Sequence, residues 1–137
     1  MDVTAAALFP SLSKSGGGVT GLQMPEEEPV WVLLDKSYPN GMASQLEFLL
    51  QGLGSHLLDL HPSVTIDETN GPVHIVDGTL IGPSAHIEGP SYIAGEVRHG
   101  AYVRSHSWIC RGAVVGHATE VKHSLLLPGA KAPHFNY

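Results

Sequence analysis

Residues 95–121 read GEVRHGAYVRSHSWICRGAVVGHATEV. Every sixth position is aliphatic: Val97, Val103, Ile109, Val115 and Val121, with Leu127 six further on. An earlier run, Ile75, Ile81, Ile87 and Ile93, has the same spacing. Two positions before most of these stands a small residue: Thr79, Ala85, Ser91, Gly95, Ala101, Ser107, Ala113 or Thr119. A period of six with a small residue at a fixed offset predicts a parallel β-helix of hexapeptide repeats.

The physics of such a repeat is simple. Three short strands of about six residues close one triangular coil of about eighteen. The aliphatic side chain points inward and joins a continuous column, and the small residue turns the corner. Successive coils pair as parallel strands about 4.8 Å apart. Coils of this class wind left-handed, against the usual crossover preference. The hand comes from the repeat class and not from the periodicity itself.

Composition narrows the reading further. Only 15% of residues are charged, and the net charge of −6 argues against a general nucleic-acid binder. Nine histidines soften that charge in mild acid. The single cysteine, Cys110, rules out an internal disulfide and is expected to pack as a small side chain. No signal peptide or transmembrane run is visible, so a cytoplasmic protein without membrane contact is the expectation.

Three regions follow. Residues 1–24 contain Gly16 to Gly18 and read as a flexible N-terminal segment, with Leu8 and Phe9 as docking candidates. Residues 25–62 read as a helical cap. Pro25 followed by Glu26, Glu27 and Glu28 resembles a helix start, and Val30, Trp31, Leu33 and Leu34 offer a short apolar face. Pro39, Asn40 and Gly41 signal a turn. A second helix is predicted from Ala43 to about Leu58, carrying Leu46, Leu49, Leu50, Leu53 and Leu57 and weakened by Gly52 and Gly54. These helices are expected to close the N-terminal end of the coil stack. Residues 63–137 form the repeats.

The repeats carry two irregularities. The step from Ile93 to Val97 is four, which predicts a tightened corner around Gly95. Near the C-terminus the small-residue rule fails, with Leu125 and Lys131 at the corner positions. A broken repeat points to function, because structure alone did not choose those residues.

An eighteen-residue coil stacks residues eighteen apart. Arg104 and Lys122 are so related, and each follows an inward aliphatic. Like charges directly opposite on adjacent strands destabilise a sheet. An anion bridging them removes that cost, and Arg with Lys suits a phosphate. The competing reading is two solvated surface cations. The same step links Arg98, Gly116 and His134, so that Gly116 leaves a gap where a ligand approaches backbone. His134 is a candidate general base, against the plainer reading of a surface histidine. His99 and His117 are eighteen apart, and His123 is six further on. Together they raise zinc as an alternative, as in γ-class carbonic anhydrases, but their spacing does not reproduce that ligand pattern and no metal is assigned. Trp31 and Trp108 read as packing residues.

Three stretches carry a family resemblance: Glu96 to Arg104, Gly116 to Lys122, and Gly129 to Tyr137. From about Pro90 the chain resembles the C-terminal left-handed β-helix of sugar-phosphate nucleotidyltransferases. It is most similar to that of the bifunctional N-acetylglucosamine-1-phosphate uridylyltransferase/glucosamine-1-phosphate acetyltransferases. The resemblance implies that Arg104 and Lys122 hold a sugar phosphate, that His134 is the base acting on the sugar amine, and that Tyr137 contacts the substrate. It implies acetyl transfer from acetyl-CoA, as co-substrate, to glucosamine 1-phosphate, with the active site between subunits of a homotrimer.

Two departures accompany it. Members of that group continue with further coils, which supply an asparagine near the substrate and most of the acetyl-CoA site. A truncated product or fragment is therefore expected. The nucleotidyltransferase half, with its Gly-rich nucleotide loop, has no counterpart in residues 1–72, so pyrophosphorylase chemistry is not expected. The N-terminal layout instead resembles stand-alone β-helix proteins named by homology as sugar nucleotidyltransferases or diphosphorylases. The alternative is a non-catalytic trimeric β-helix that binds sugar phosphate or mediates assembly.

Overall fold

A computed structural model describes residues 2–10 and 22–137. Gly16 to Gly18 lie outside the described residues. The repeats build a mainly β, parallel solenoid of about four turns with three sheets. The first sheet holds β1 (Thr65–Asp67), β3 (His86–Glu88), β6 (Tyr102–Val103) and β9 (Glu120–Val121). The second holds β2 (Val73–Ile75), β4 (Ser91–Ile93), β7 (Ser107–Ile109) and β10 (Leu125–Leu126). The third holds β5 (Glu96–Val97), β8 (Val114–His117) and β11 (Lys131–His134). Each coil gives one strand to each sheet, except that the first coil meets the third sheet only through the Ile81–Val97 bridge; this is the three-sided arrangement of a left-handed β-helix.

The inward columns are the ones the periodicity predicts, with one change. Ile66, Ile87, Val103 and Val121 line the first sheet. Ile81, Val97, Val115 and Ala132 line the third. In the second, Ile75, Ile93 and Ile109 are followed by Leu126, which pairs with Ile109. Leu127 does not join the column and packs instead toward the N-terminal helices. In the second and third coils the inward residues are essentially sealed from water. Each such Ile or Val contributes about 1.5–3 kcal/mol of hydrophobic stabilisation.

The change at Leu126 has a local cause. Arg104, Ser105, His106 and Ser107 turn the corner of the third coil, whereas Lys122, His123 and Ser124 turn that of the fourth with one residue fewer. His106 and His123 both hold positive φ there, 60° and 45°. The Ser107 hydroxyl donates to the Arg104 carbonyl at 2.6 Å, and the Ser124 hydroxyl to that of Lys122 at 2.7 Å. The corner positions before Leu126 and Ala132 are thus Ser124 and Ala130, both small. The small-residue rule does not fail; the expectation of Leu125 and Lys131 at the corners was one residue out of register.

The short step after Ile93 behaves as predicted. Across it, partners differ by sixteen residues, as in Ile87 with Val103 and Ile93 with Ile109. A Cβ on Gly95 would lie 2.6 Å from the carbonyl oxygens of Cys110 and Ala113, so only glycine fits.

The N-terminal region differs from expectation in place and extent. It contains α1 (Ala5–Leu8), a 3₁₀ turn η1 (Val30–Leu34) and α2 (Met42–Leu53). No helix starts at Pro25, because Pro29 disfavours helical backbone at Glu28 and itself stands just before η1. Helix α2 stops at Gly54, where φ is +70°, so Leu57 lies beyond it. Leu33, Met42, Leu46 and Leu50 pack on Tyr92, Trp108 and Cys110, which project outward from the second sheet and its edge. The helices therefore cover a side of the solenoid and not its end. Leu58 and Leu60 pack against the inward columns instead, just after the His56–His74 bridge. Trp108 is buried as expected, but Trp31 is 60% exposed and packs little. Among the described residues no helix is long and apolar enough to cross a membrane.

Candidate anion groove on the first sheet

Strand residues flanking each inward aliphatic point outward, so each sheet displays two outward columns. On the first sheet one column runs Asp67, Glu88, Arg104, Lys122, and the other Thr65, His86, Tyr102, Glu120. Val103 pairs with Val121, and the Arg104 amide donates to the Val121 carbonyl at 2.8 Å. Arg104 and Lys122 are therefore neighbours on adjacent rungs, as their spacing predicted.

The structure adds two carboxylates that the eighteen-residue step missed. Arg104 Nη1 is 3.8 Å from Glu120 Oε1, and its Nε is 3.9 Å from Glu88 Oε1. Two cations and two anions sum to zero, which offsets the repulsion between Arg104 and Lys122. Yet both contacts are too long for hydrogen bonds, and the buried Arg104 Nε has no hydrogen-bond partner. Among the described residues the guanidinium forms no side-chain hydrogen bond, which leaves its donors available to an oxyanion.

Below the guanidinium the packing is tighter. The Tyr102 hydroxyl donates to Glu88 Oε2 at 2.6 Å, and the Arg104 guanidinium carbon lies 5.7 Å from the Tyr102 ring centre. That hydrogen bond raises the Tyr102 phenol above its ordinary range, because the carboxylate holds its proton. His86 Nε2 is 3.6 Å from the same Glu88 oxygen, and its ring meets Tyr102 edge-on at 4.8 Å.

A groove of about 440 Å³ opens above Arg104. Glu120, Lys122, Asn136 and Tyr137 stand around it, with Val121 and Ala132 also at its wall. The Glu120 amide donates to the Asn136 carbonyl at 2.8 Å, which seats Tyr137 on the rung above Glu120. Three of the four residues proposed from sequence thus line one groove.

His134 does not line it. It pairs with His117 on the third sheet, and its ring meets Phe135 edge-on. The predicted column of Arg98, Gly116 and His134 breaks at its last member, again because the coil is one residue short. Gly116 faces Pro133, whose backbone occupies the space a Cβ would need, so no gap is left for a ligand. Arg98 is engaged by Glu96, Nε to Oε1 at 3.3 Å.

His99 and His117 do stack, ring centres 3.9 Å apart. His123 sits at a different corner, where its Nε2 lies 2.8 Å from the Leu34 carbonyl oxygen. These three do not converge, and among the described residues no group of three or more His, Cys, Asp or Glu is arranged to hold a metal ion. Cys110 is buried against the N-terminal helices.

Glu88 had a readable signal. A step of eighteen back from Arg104 lands on His86, whereas the short coil at Gly95 makes the true step sixteen and lands on Glu88. Glu120 needed only the alternation along its strand. No protein-family model matches this chain, and no curated protein and no solved structure matches it either.

Proposed function

We propose that this β-helix serves acetyl transfer from acetyl-CoA to the amine of an amino-sugar 1-phosphate, of the glucosamine 1-phosphate type, in nucleotide-sugar biosynthesis. The observation that carries the reading is the Arg104–Lys122 rung, open to a groove that Tyr137 also lines. Arg104 and Lys122 hold the phosphate by charge-assisted hydrogen bonds. The sugar amine attacks the thioester carbonyl carbon, the carbon–sulfur bond breaks, and the coenzyme leaves as its thiolate. His134 takes the proton that the nitrogen sheds and passes it to that thiolate, which departs as the free thiol, and no acyl-enzyme forms. His134 lies outside the groove of its own chain, so the reading requires a trimer in which His134 of a neighbouring copy completes the site.

That same separation favours the second reading, a non-catalytic trimeric β-helix that binds sugar phosphate or mediates assembly. The deciding experiment is release of free thiol from acetyl-CoA in the presence of glucosamine 1-phosphate, with Arg104→Ala and His134→Ala alongside. Turnover lost in both variants supports the transferase. Binding of glucosamine 1-phosphate without turnover supports the second reading. Neither turnover nor binding overturns the transferase and the sugar-phosphate-binding role, and a monomer in sedimentation overturns the assembly role.

A further inference from the structure

Behind Arg104 lies a carboxylate that does not line the groove. Glu88 sits one rung below Arg104, and each of its oxygens has a separate neighbour. Oε2 accepts the Tyr102 hydroxyl at 2.6 Å, which fixes the carboxylate plane. Oε1 faces Arg104 Nε at 3.9 Å, and that Nε is buried without a hydrogen-bond partner. A buried, unpaired donor on a charged group is costly, and a small approach toward Oε1 would satisfy it. The approach would rest one edge of the guanidinium on Glu88 and leave its outer nitrogens for the groove.

We propose that Glu88, anchored by Tyr102, is a positioning residue that braces Arg104 from behind for binding of a phosphate monoester. The proposal rests on the phosphate-clamp reading of Arg104 and Lys122. The brace works by geometry: an arginine presents two parallel donors to a phosphate only when its plane is fixed, and a free side chain must give up rotamer entropy to do so. Tyr102 contributes twice, by holding the carboxylate and by placing its ring 5.7 Å from the guanidinium carbon.

Glu88→Gln gives a test whose sign is diagnostic. Removing a negative charge near a bound anion tightens binding on Coulombic grounds alone. Loss of the brace weakens it. Calorimetric titration of the full chain with glucosamine 1-phosphate, and with inorganic phosphate as a second probe, is the measurement. We expect Glu88→Gln to weaken both by about tenfold, and Tyr102→Phe, which keeps the Glu88 charge, to weaken them by about threefold. In an Arg104→Lys background, which has no Nε–H, the further change Glu88→Gln should cause no loss.

Equal or tighter binding by Glu88→Gln, while Arg104→Ala loses affinity, overturns the brace and leaves the clamp. An equal loss from Glu88→Gln in the Arg104→Lys background also overturns it, since the effect then does not pass through Nε. Undiminished binding by Arg104→Ala, or no binding by the parent, removes the clamp and the brace together.

Discussion

Leu126 stands directly over Ile109 in the inward column of the second sheet, seventeen residues along the chain and not eighteen. Its neighbour Leu127 turns toward the N-terminal helices. The two leucines therefore hold different places despite equal chemistry. Leu126→Ala is expected to cost about 2 kcal/mol, as an inward truncation leaves a gap above Ile109 that its neighbours fill only in part. Leu127→Ala should cost about half of that, since it only loosens contact with the side cluster. Urea unfolding of the two variants checks the order. A larger loss from Leu127→Ala would restore the eighteen-residue register and move Leu125 and Lys131 back to the corners.

That single residue also marks what the sequence could convey. The six-residue period is a packing requirement, so it is written plainly in Val97, Val103, Ile109, Val115 and Val121. A one-residue shortening at a corner leaves no apolar trace, because three leucines in a row satisfy either register. Ser124 and Ala130 were the only readable correction, through their small size. The same arithmetic decided the site. Arg104 and Lys122 were found because the coil between them is regular, while Glu88 was missed because a short coil separates it from Arg104. Placement of the helices on a side of the solenoid was illegible for a different reason. Their apolar faces state that something is covered but not which surface. The outward aromatics Tyr92 and Trp108 supplied that surface from far along the chain.

Two glycines should respond to alanine with opposite signs. A methyl on Gly95 would press on two carbonyl oxygens at 2.6 Å and on the Ile109 side chain at 2.9 Å, all in the tightened corner. Gly95→Ala is expected to destabilise the fold by about 1–3 kcal/mol, as other overpacked cores do. Gly52 lies inside α2, and beyond the helix's own backbone no atom comes within 4 Å of where its methyl would stand. Gly52→Ala should stabilise by about 0.5–1 kcal/mol, because alanine restricts the unfolded chain and favours helix. Thermal unfolding of both variants measures this, and a midpoint for Gly95→Ala at or above the parent would mean the corner is wider than these distances allow.

Burial gives the solenoid an alkaline weakness. Withdrawal from water pushes the Cys110 thiol up from 9.0 to about 12. The folded chain then keeps a proton that the unfolded chain releases once the pH passes about 9. Unfolding thus sheds protons in that window, and stability falls as pH rises from about 9 toward 12. Tyr92, raised by burial, and Tyr102, raised by its bond to Glu88, act with the same sign at higher pH. Urea unfolding at pH 8, 9 and 10 should show stability declining for the parent and a shallower decline for Cys110→Ala, the tyrosines supplying what remains. The same burial keeps the thiolate scarce, so a thiol reagent at pH 8 should label Cys110 slowly in the folded chain and quickly in urea. Fast labelling of the folded chain, or identical slopes for the two proteins, would show that Cys110 reaches water and that the helices do not lie over the second sheet as a fixed cover.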